Sequence, residues 1–160
     1  MTIPELNLFR DALGFSESGG KYDNDLVQYW GKYQFGEARR KDIEKILGLS
    51  HLTRSQFTPA MQEKFFNVHF NDLEKRIYAD KLDKFFGLSV RGSKNGIATV
   101  INKYGLIAGA HLGGYTGMKK FLTSNYSYDP ADSLGTHISD YVAKFSSSME
   151  KKTSLLTLQS

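Results

Sequence analysis

The chain contains no cysteine among its 160 residues. Disulfides and thiolate metal sites are therefore excluded, and the fold has to rest on packing, which a domain of this length can supply. The absence fits synthesis in a reducing compartment. No stretch approaches the ~18 apolar residues that span a bilayer. The opening residues, MTIPELNLFRDALGF, lack the basic start, apolar core and small-residue cleavage site of a signal peptide. The expectation is one soluble domain, made in the cytoplasm and not inserted in a membrane. No six-residue basic block or nucleic-acid motif is present. Lys plus Arg exceed Asp plus Glu only 21 to 17, a formal charge of +4. That excess attracts polyanions weakly, so no nucleic-acid partner is expected. The alternating signs of EARRKDIEK and LEKRIYADKLDK read as solvated helix faces. His51, His69, His111 and His137 show no HExxH-type spacing, and GxSxG, Walker and GxGxxG patterns are missing. No metal or cofactor is expected.

What is present is helical periodicity. Thr2-x-x-Glu5 is a capping box with Pro4 in the first turn, and Leu6, Phe9 and Leu13 follow at helical spacing. Gly19-Gly20 ends this helix and leaves Glu17 at its C-terminus. Residues 22–36, YDNDLVQYWGKYQFG, are rich in Tyr, Trp, Phe and Val. Asn24 and Gly31 supply turn chemistry, which predicts short strands or an irregular hairpin. A helix is predicted over 37–47, with Ile43, Ile46 and Leu47 inward and Gly48 as its stop. Thr58-Pro59 opens a long helix. Its stripe is Phe66, Phe70, Leu73 and Ile77, broadened by Met61 and Phe65, and it ends by Gly87. Ser93 is read as the cap of a helix carrying Ile97, Val100, Ile101 and Tyr104, interrupted at Gly105. LIAGAHLGG has small residues that permit close helix approach, Gly113-Gly114 ends it, and TGMKKFL is a further short helix. Thr136 is read as the cap of HISDYVAKF, with Ile138, Tyr141, Val142 and Phe145 on one face. The fold class is α+β, predominantly α-helical. A domain over 1–146 is followed by a tail, 147–160, either frayed or docked late.

Three segments carry the chemistry: GFSESGGKY, WGKYQFG, and LIAGAHLGGYTGMKKFL followed by GTHISDYVAKF. Together they resemble the lysozyme-like superfamily, meaning lytic transglycosylases, goose-type lysozymes and phage-type muramidase domains. In that family a helix ends in Glu-Ser before a glycine turn, as Glu17-Ser18-Gly19-Gly20 does, and the Glu is the catalytic acid. Gly31 and Gln34 resemble the family's glycine, two variable residues and glutamine. The third segment is similar to its Ala-Tyr-Asn-x-Gly stretch and late tyrosine-bearing helix, with His111 and Leu112 where Tyr and Asn are commoner. The resemblance spans roughly 8–145. It implies a lysozyme-like fold with a small β-hairpin beside a cleft, and cleavage of the β-1,4 linkage between N-acetylmuramic acid and N-acetylglucosamine.

The residue types agree with that implication. Glycoside cleavage needs a proton on a poor leaving group, so its acid must stay protonated near neutrality. A carboxyl at a helix C-terminus faces the negative end of the dipole, which disfavours ionisation. Apolar neighbours such as Phe15, Tyr33 and Phe35 would act in the same direction. The alternative is an ordinary surface Glu. For a second carboxylate, Asp25 is preferred to Asp23, because Asp23-Asn24 suits a turn, although a turn explains either residue. If neither reaches the cleft, a lytic transglycosylase follows, in which one carboxyl acts first as acid and then as base. Gln34 is expected to position a sugar or water, His111 and Tyr141 to touch substrate or Glu17, and Tyr22, Tyr29, Trp30 and Tyr33 to stack on sugar rings. For each of these a structural role in the core is the competing reading.

The expected function is therefore a peptidoglycan-degrading, bacteriolytic glycosidase, muramidase or lytic transglycosylase, acting as a monomer on glycan strands. Without a classical signal it would reach the wall by phage-type release or through a secretion apparatus, and effector delivery would imply an inhibitor or immunity protein. The rivals are a chitinase- or chitosanase-like glycosidase and a non-catalytic wall-binding module on the same scaffold.

Overall fold

The computed structural model describes residues 3–159. Among the described residues, five α-helices and one two-stranded antiparallel sheet give an α+β, predominantly helical architecture. The chain forms two compact units, Met1–Asp72 and Leu73–Ser160. The Thr2 cap lies outside the described residues.

In the first unit, α1 (Ile3–Ser18) turns Phe9 and Leu13 into the core at the spacing its sequence dictates. Two left-handed glycines end it: Gly19 donates to the Phe15 carbonyl at 2.9 Å and Gly20 to the Gly14 carbonyl at 3.1 Å. Residues 22–36 form two tight turns in succession, closed by the bridges Leu26↔Tyr29 and Trp30↔Phe35. α2 (Glu37–Leu47) stops at Gly48, left-handed at φ 69°. Ile43 is buried as expected, but Ile46 is 54% exposed. The inward position is taken instead by Arg40, which bonds the carbonyl of Gln28 at 2.8 Å and also that of Phe35. α3 (Pro59–Ala79) starts at Thr58, whose hydroxyl accepts the Met61 N–H at 3.3 Å. Its Phe65, Phe66 and Phe70 meet Phe9, Tyr33, Phe35 and Phe57, with ring centroids 4.7–6.3 Å apart. Each such pair adds about 0.5–1.5 kcal/mol beyond area burial.

In the second unit the helix expected from Ser93 is a hairpin, β1 (Ser89–Arg91) with β2 (Ala98–Val100), in register Ser89↔Val100 and Arg91↔Ala98. The reason lies in the turn. Gly96 is left-handed, and the Asp140 carboxylate accepts the backbone N–H groups of Lys94 and Asn95 at 2.8 and 2.9 Å. The apolar residues at 97, 100 and 101 fit a helix by spacing, but this tertiary clamp overrides the local pattern. Asn102, not Ser93, caps α4 (Lys103–Thr123), accepting the Gly105 N–H at 3.1 Å. Gly105 lies within the helix. Gly114, at φ 76° and ψ 157°, kinks α4 where Gly113-Gly114 was expected to end a helix. α5 (Ile138–Gln159) runs through the predicted tail, with Met149 buried. Its first turn is capped by Asp140, which accepts the His137 N–H at 2.8 Å, while the Thr136 N–H goes to Asp132.

α4 and α5 approach closely because Gly105, Gly109, Gly113 and Gly117 line one face. A Cβ on Gly105 would lie 1.9 Å from Ser146 Oγ, one on Gly109 2.8 Å from Val142, and one on Gly113 2.6 Å from Ile138. The small residues expected to permit close approach do so. No helix of the described residues is long and apolar enough to cross a membrane.

Candidate active site

Glu17 lies in the last turn of α1, half-buried, two residues before the chain turns over at Gly19-Gly20. Ser18 fastens this end. Its hydroxyl donates to the Lys32 carbonyl at 2.7 Å and lies 3.1 Å from the Gly14 carbonyl, and it accepts the Lys21 N–H at 3.0 Å. Asn24 Nδ2 donates to the Ser18 carbonyl at 3.3 Å. The Glu-Ser end of α1 is thus tied directly to the Trp30–Gln34 turn. A Cβ on Gly14 would meet Lys32 Cε at 2.6 Å, so glycine lets the Lys32 stem lie directly against the helix.

Gln34 is left-handed at φ 53°, and its Nε2 donates to the carbonyls of Asn24 and, at 2.8 Å, Gly31. The amide nitrogen therefore closes the double turn, and Oε1 is the atom left for other contacts. Asp25 accepts Arg54 Nε at 2.6 Å, Arg54 Nη2 at 3.0 Å and the Gly31 N–H at 3.0 Å. Arg54, assisted by Gly31, holds its carboxyl below the ordinary Asp range against a partial desolvation penalty. Both Asp25 oxygens are engaged. Asp23 is exposed.

The aromatic cluster divides. Tyr33 is fully buried, its ring 4.7 Å from Phe66. It belongs to the core, and the sugar-stacking expectation for it is corrected. Trp30 is half-buried, one face covered by the Arg40 guanidinium at 3.6 Å and the ring 6.0 Å from Phe57, so it is not an open platform either. Tyr29 is 43% exposed. Tyr22 is half-buried, and its hydroxyl donates to Glu63.

Glu63 and Gln62, which sequence reasoning missed, hold this region. Gln62 is buried: Oε1 accepts the Lys32 N–H at 2.9 Å, and Nε2 donates to the carbonyls of Tyr22 at 3.0 Å and Phe57 at 2.9 Å. Glu63 accepts Tyr22 Oη at 2.7 Å, Lys32 Nζ at 3.1 Å and the Tyr33 hydroxyl, with Arg10 Nε at 3.8 Å. Burial works against its charge, but the Tyr33, Tyr22 and Lys32 donors outweigh it and leave the carboxyl below the ordinary Glu range. Glu63 is an ionised anchor, unsuited to donating a proton at neutral pH. A signal was available: Gln62 extends the Phe66–Phe70–Leu73 stripe back by one turn, a polar residue on an otherwise apolar face.

His111 and Tyr141 belong to the second unit. His111 is half-buried in α4, three residues before the Gly114 kink. Tyr141 is buried in α5, edge-on to Phe145 at 5.2 Å, consistent with a packing role. Among the described residues no cluster of His, Cys, Asp and Glu could hold a metal ion. No family model, no curated protein and no solved structure matches the chain.

Proposed function

We propose that this protein is a peptidoglycan-cleaving glycosidase of lysozyme-like type, with Glu17 as general acid on the linkage between N-acetylmuramic acid and N-acetylglucosamine. One observation carries the reading: the 2.7 Å bond from Ser18 to the Lys32 carbonyl joins the Glu17-Ser18 helix end to the turn that holds Gln34. These are two of the segments on which the resemblance rests, 14 residues apart along the chain. A carboxyl at a helix end, backed by a fixed irregular hairpin, is what proton delivery to a bound glycan requires.

Asp25 bears on the outcome of the cleavage. A carboxylate with both oxygens on Arg54 and a backbone N–H is poorly placed to act as nucleophile or base. This favours the single-carboxyl route, in which Glu17 protonates the leaving oxygen and then accepts the proton of the muramyl C6 hydroxyl as that oxygen closes the anhydro ring. Water is not consumed.

Incubating the full chain with purified peptidoglycan, and separately with chitin oligomers, tests the reading by mass spectrometry. Soluble muropeptides with anhydro-muramyl ends are expected, and chitin oligomers should stay intact. Reducing muramyl ends would mean hydrolysis and bring Asp23 or Asp25 back as the second carboxylate. Turnover of chitin alone, or of neither polymer, would remove the assignment.

A further inference from the structure

A cavity of about 430 Å³ lies within Met1–Asp72, and neither Glu17 nor Gln34 lines it. Arg40, Lys41 and Glu44 of α2 line it together with Trp30, His51 and Arg54. Its size is ordinary for a small-molecule site.

Arg40 is the informative residue. It is only 7% exposed, its guanidinium lies 3.6 Å from the Trp30 ring centroid, and its side-chain hydrogen bonds run from Nη1 to two carbonyls. Among the described residues no carboxylate oxygen lies within salt-bridge distance of it, the charges of Glu37, Glu44 and Asp25 acting on it only from farther off, and its Nε and Nη2 make no hydrogen bond. Buried cations in proteins are normally paired, because desolvation is costly without a counter-charge. A guanidinium is also shaped to take a carboxylate through two parallel N–H groups.

The neighbours restrict the anion. Arg54 is committed to Asp25. Lys41 pairs with Glu37 at 3.0 Å on the exposed rim, a weak and exchangeable contact. Glu44 uses one oxygen, at 3.2 Å, for the Leu52 N–H. A dianion over Arg40 would meet the repulsion of Glu37 and Glu44, whereas a single carboxylate with an adjacent ammonium would use both signs. We propose that this cavity binds a small ligand of amino-acid type, its carboxylate on Arg40 and its ammonium toward Glu44 and Glu37. The site is independent of the glycosidase reading, and either can fail without the other.

The chain has a single tryptophan, so Trp30 reports on the cavity directly. Titrating the full-length protein with alanyl-alanine, and in a parallel arm with alanine, should give a saturable change in its emission. The two arms separate a peptide end from a free amino acid. Acetate should bind at least five-fold more weakly, and ethylamine or inorganic phosphate at matched ionic strength should give no saturation. Arg40→Met should abolish the response. Because Arg40 also ties down Gln28 and Phe35, Glu44→Gln provides a second variant: its amide oxygen still accepts the Leu52 N–H while the charge facing the ammonium is lost, and binding should weaken at least five-fold without unfolding. Emission that stays flat with both alanine probes overturns the proposal. So does saturation by phosphate or ethylamine alone, or a Glu44→Gln affinity equal to the parent's.

Discussion

Residues 19–36 of the first unit run through two bridged turns with hardly any ladder, and buried side chains satisfy the backbone there: Ser18, Gln62 and Arg40 bond the backbone of Gly14, Tyr22, Gln28, Lys32, Phe35 and Phe57. In Leu73–Ser160 the longest elements are α4 and α5, whose backbone groups pair within the helices, and the contact between them is made by the absence of side chains along a glycine face. Irregular backbone has to be satisfied from outside itself, whereas regular helices need only shape. The difference predicts that the first unit is hurt most where a polar peg is lost or displaced, and the second where volume is added to the glycine face.

The largest effect is expected at Gly31. It is left-handed at φ 79°, and a Cβ there would lie 2.2 Å from Gln62 Oε1. Gly31→Ala should cost roughly 3 kcal/mol, combining backbone strain with displacement of the Gln62 peg. Chemical denaturation measures it; a loss below about 1 kcal/mol would mean that the peg is not needed.

Glu63→Gln should cost about 2 kcal/mol at pH 7, by removing an acceptor bonded to Lys32 and two phenols. The pH dependence has a definite sign. Glu63 is depressed when folded, so its contribution is fully present above its unfolded pKa of about 4.3 and is lost as pH falls through the lower folded value. Asp140 in the second unit behaves alike: burial opposes its charge, but the N–H groups of Asn95, His137 and Lys94 hold it below the ordinary range. Melting temperature should therefore drop between pH 5 and roughly pH 3, and less steeply in Glu63→Gln and Asp140→Asn. Identical acid profiles in parent and variants would break this account.

Gly109→Ala tests the second unit. Its Cβ would press on a methyl of the buried, β-branched Val142 at 2.8 Å, so about 2 kcal/mol is expected from the melting temperature. The smallest effect, about 1 kcal/mol, is expected for Gly19→Ala, where nothing lies within 4 Å of a Cβ and only φ 69° is strained. If Gly19→Ala proved the costlier of the two, the shape argument for α4 and α5 would be wrong.

Legibility in the sequence follows the same divide. α1, α2 and α3 are readable because Phe9 and Leu13, Gly48, and Thr58-Pro59 carry local instructions. The kink at Gly113-Gly114 and the close approach on α4 are readable from small residues. The β1–β2 hairpin is not, since what fixes its turn is Asp140, 45 residues after Asn95. At the candidate site, the turns that follow Glu17 and precede Gln34 are legible from Gly19-Gly20 and Gly31. Their fastening is not: Gln62 and Glu63 act from another helix, 30 residues or more beyond Lys32 and Tyr33. The partner of Asp25 is likewise distant, Arg54 lying 29 residues on, where no local pattern points to it.

The most direct measurement is the rate of muropeptide release from purified peptidoglycan by the full-length protein and its Glu17→Gln variant, both verified as folded by circular dichroism. A general acid contributes about 10²–10⁴-fold, so release should fall at least a hundred-fold in the variant while its melting temperature stays within a few degrees. Release at the parent's rate by Glu17→Gln would contradict the account, because Asp25 and Glu63 are held ionised by their partners and cannot take over proton delivery.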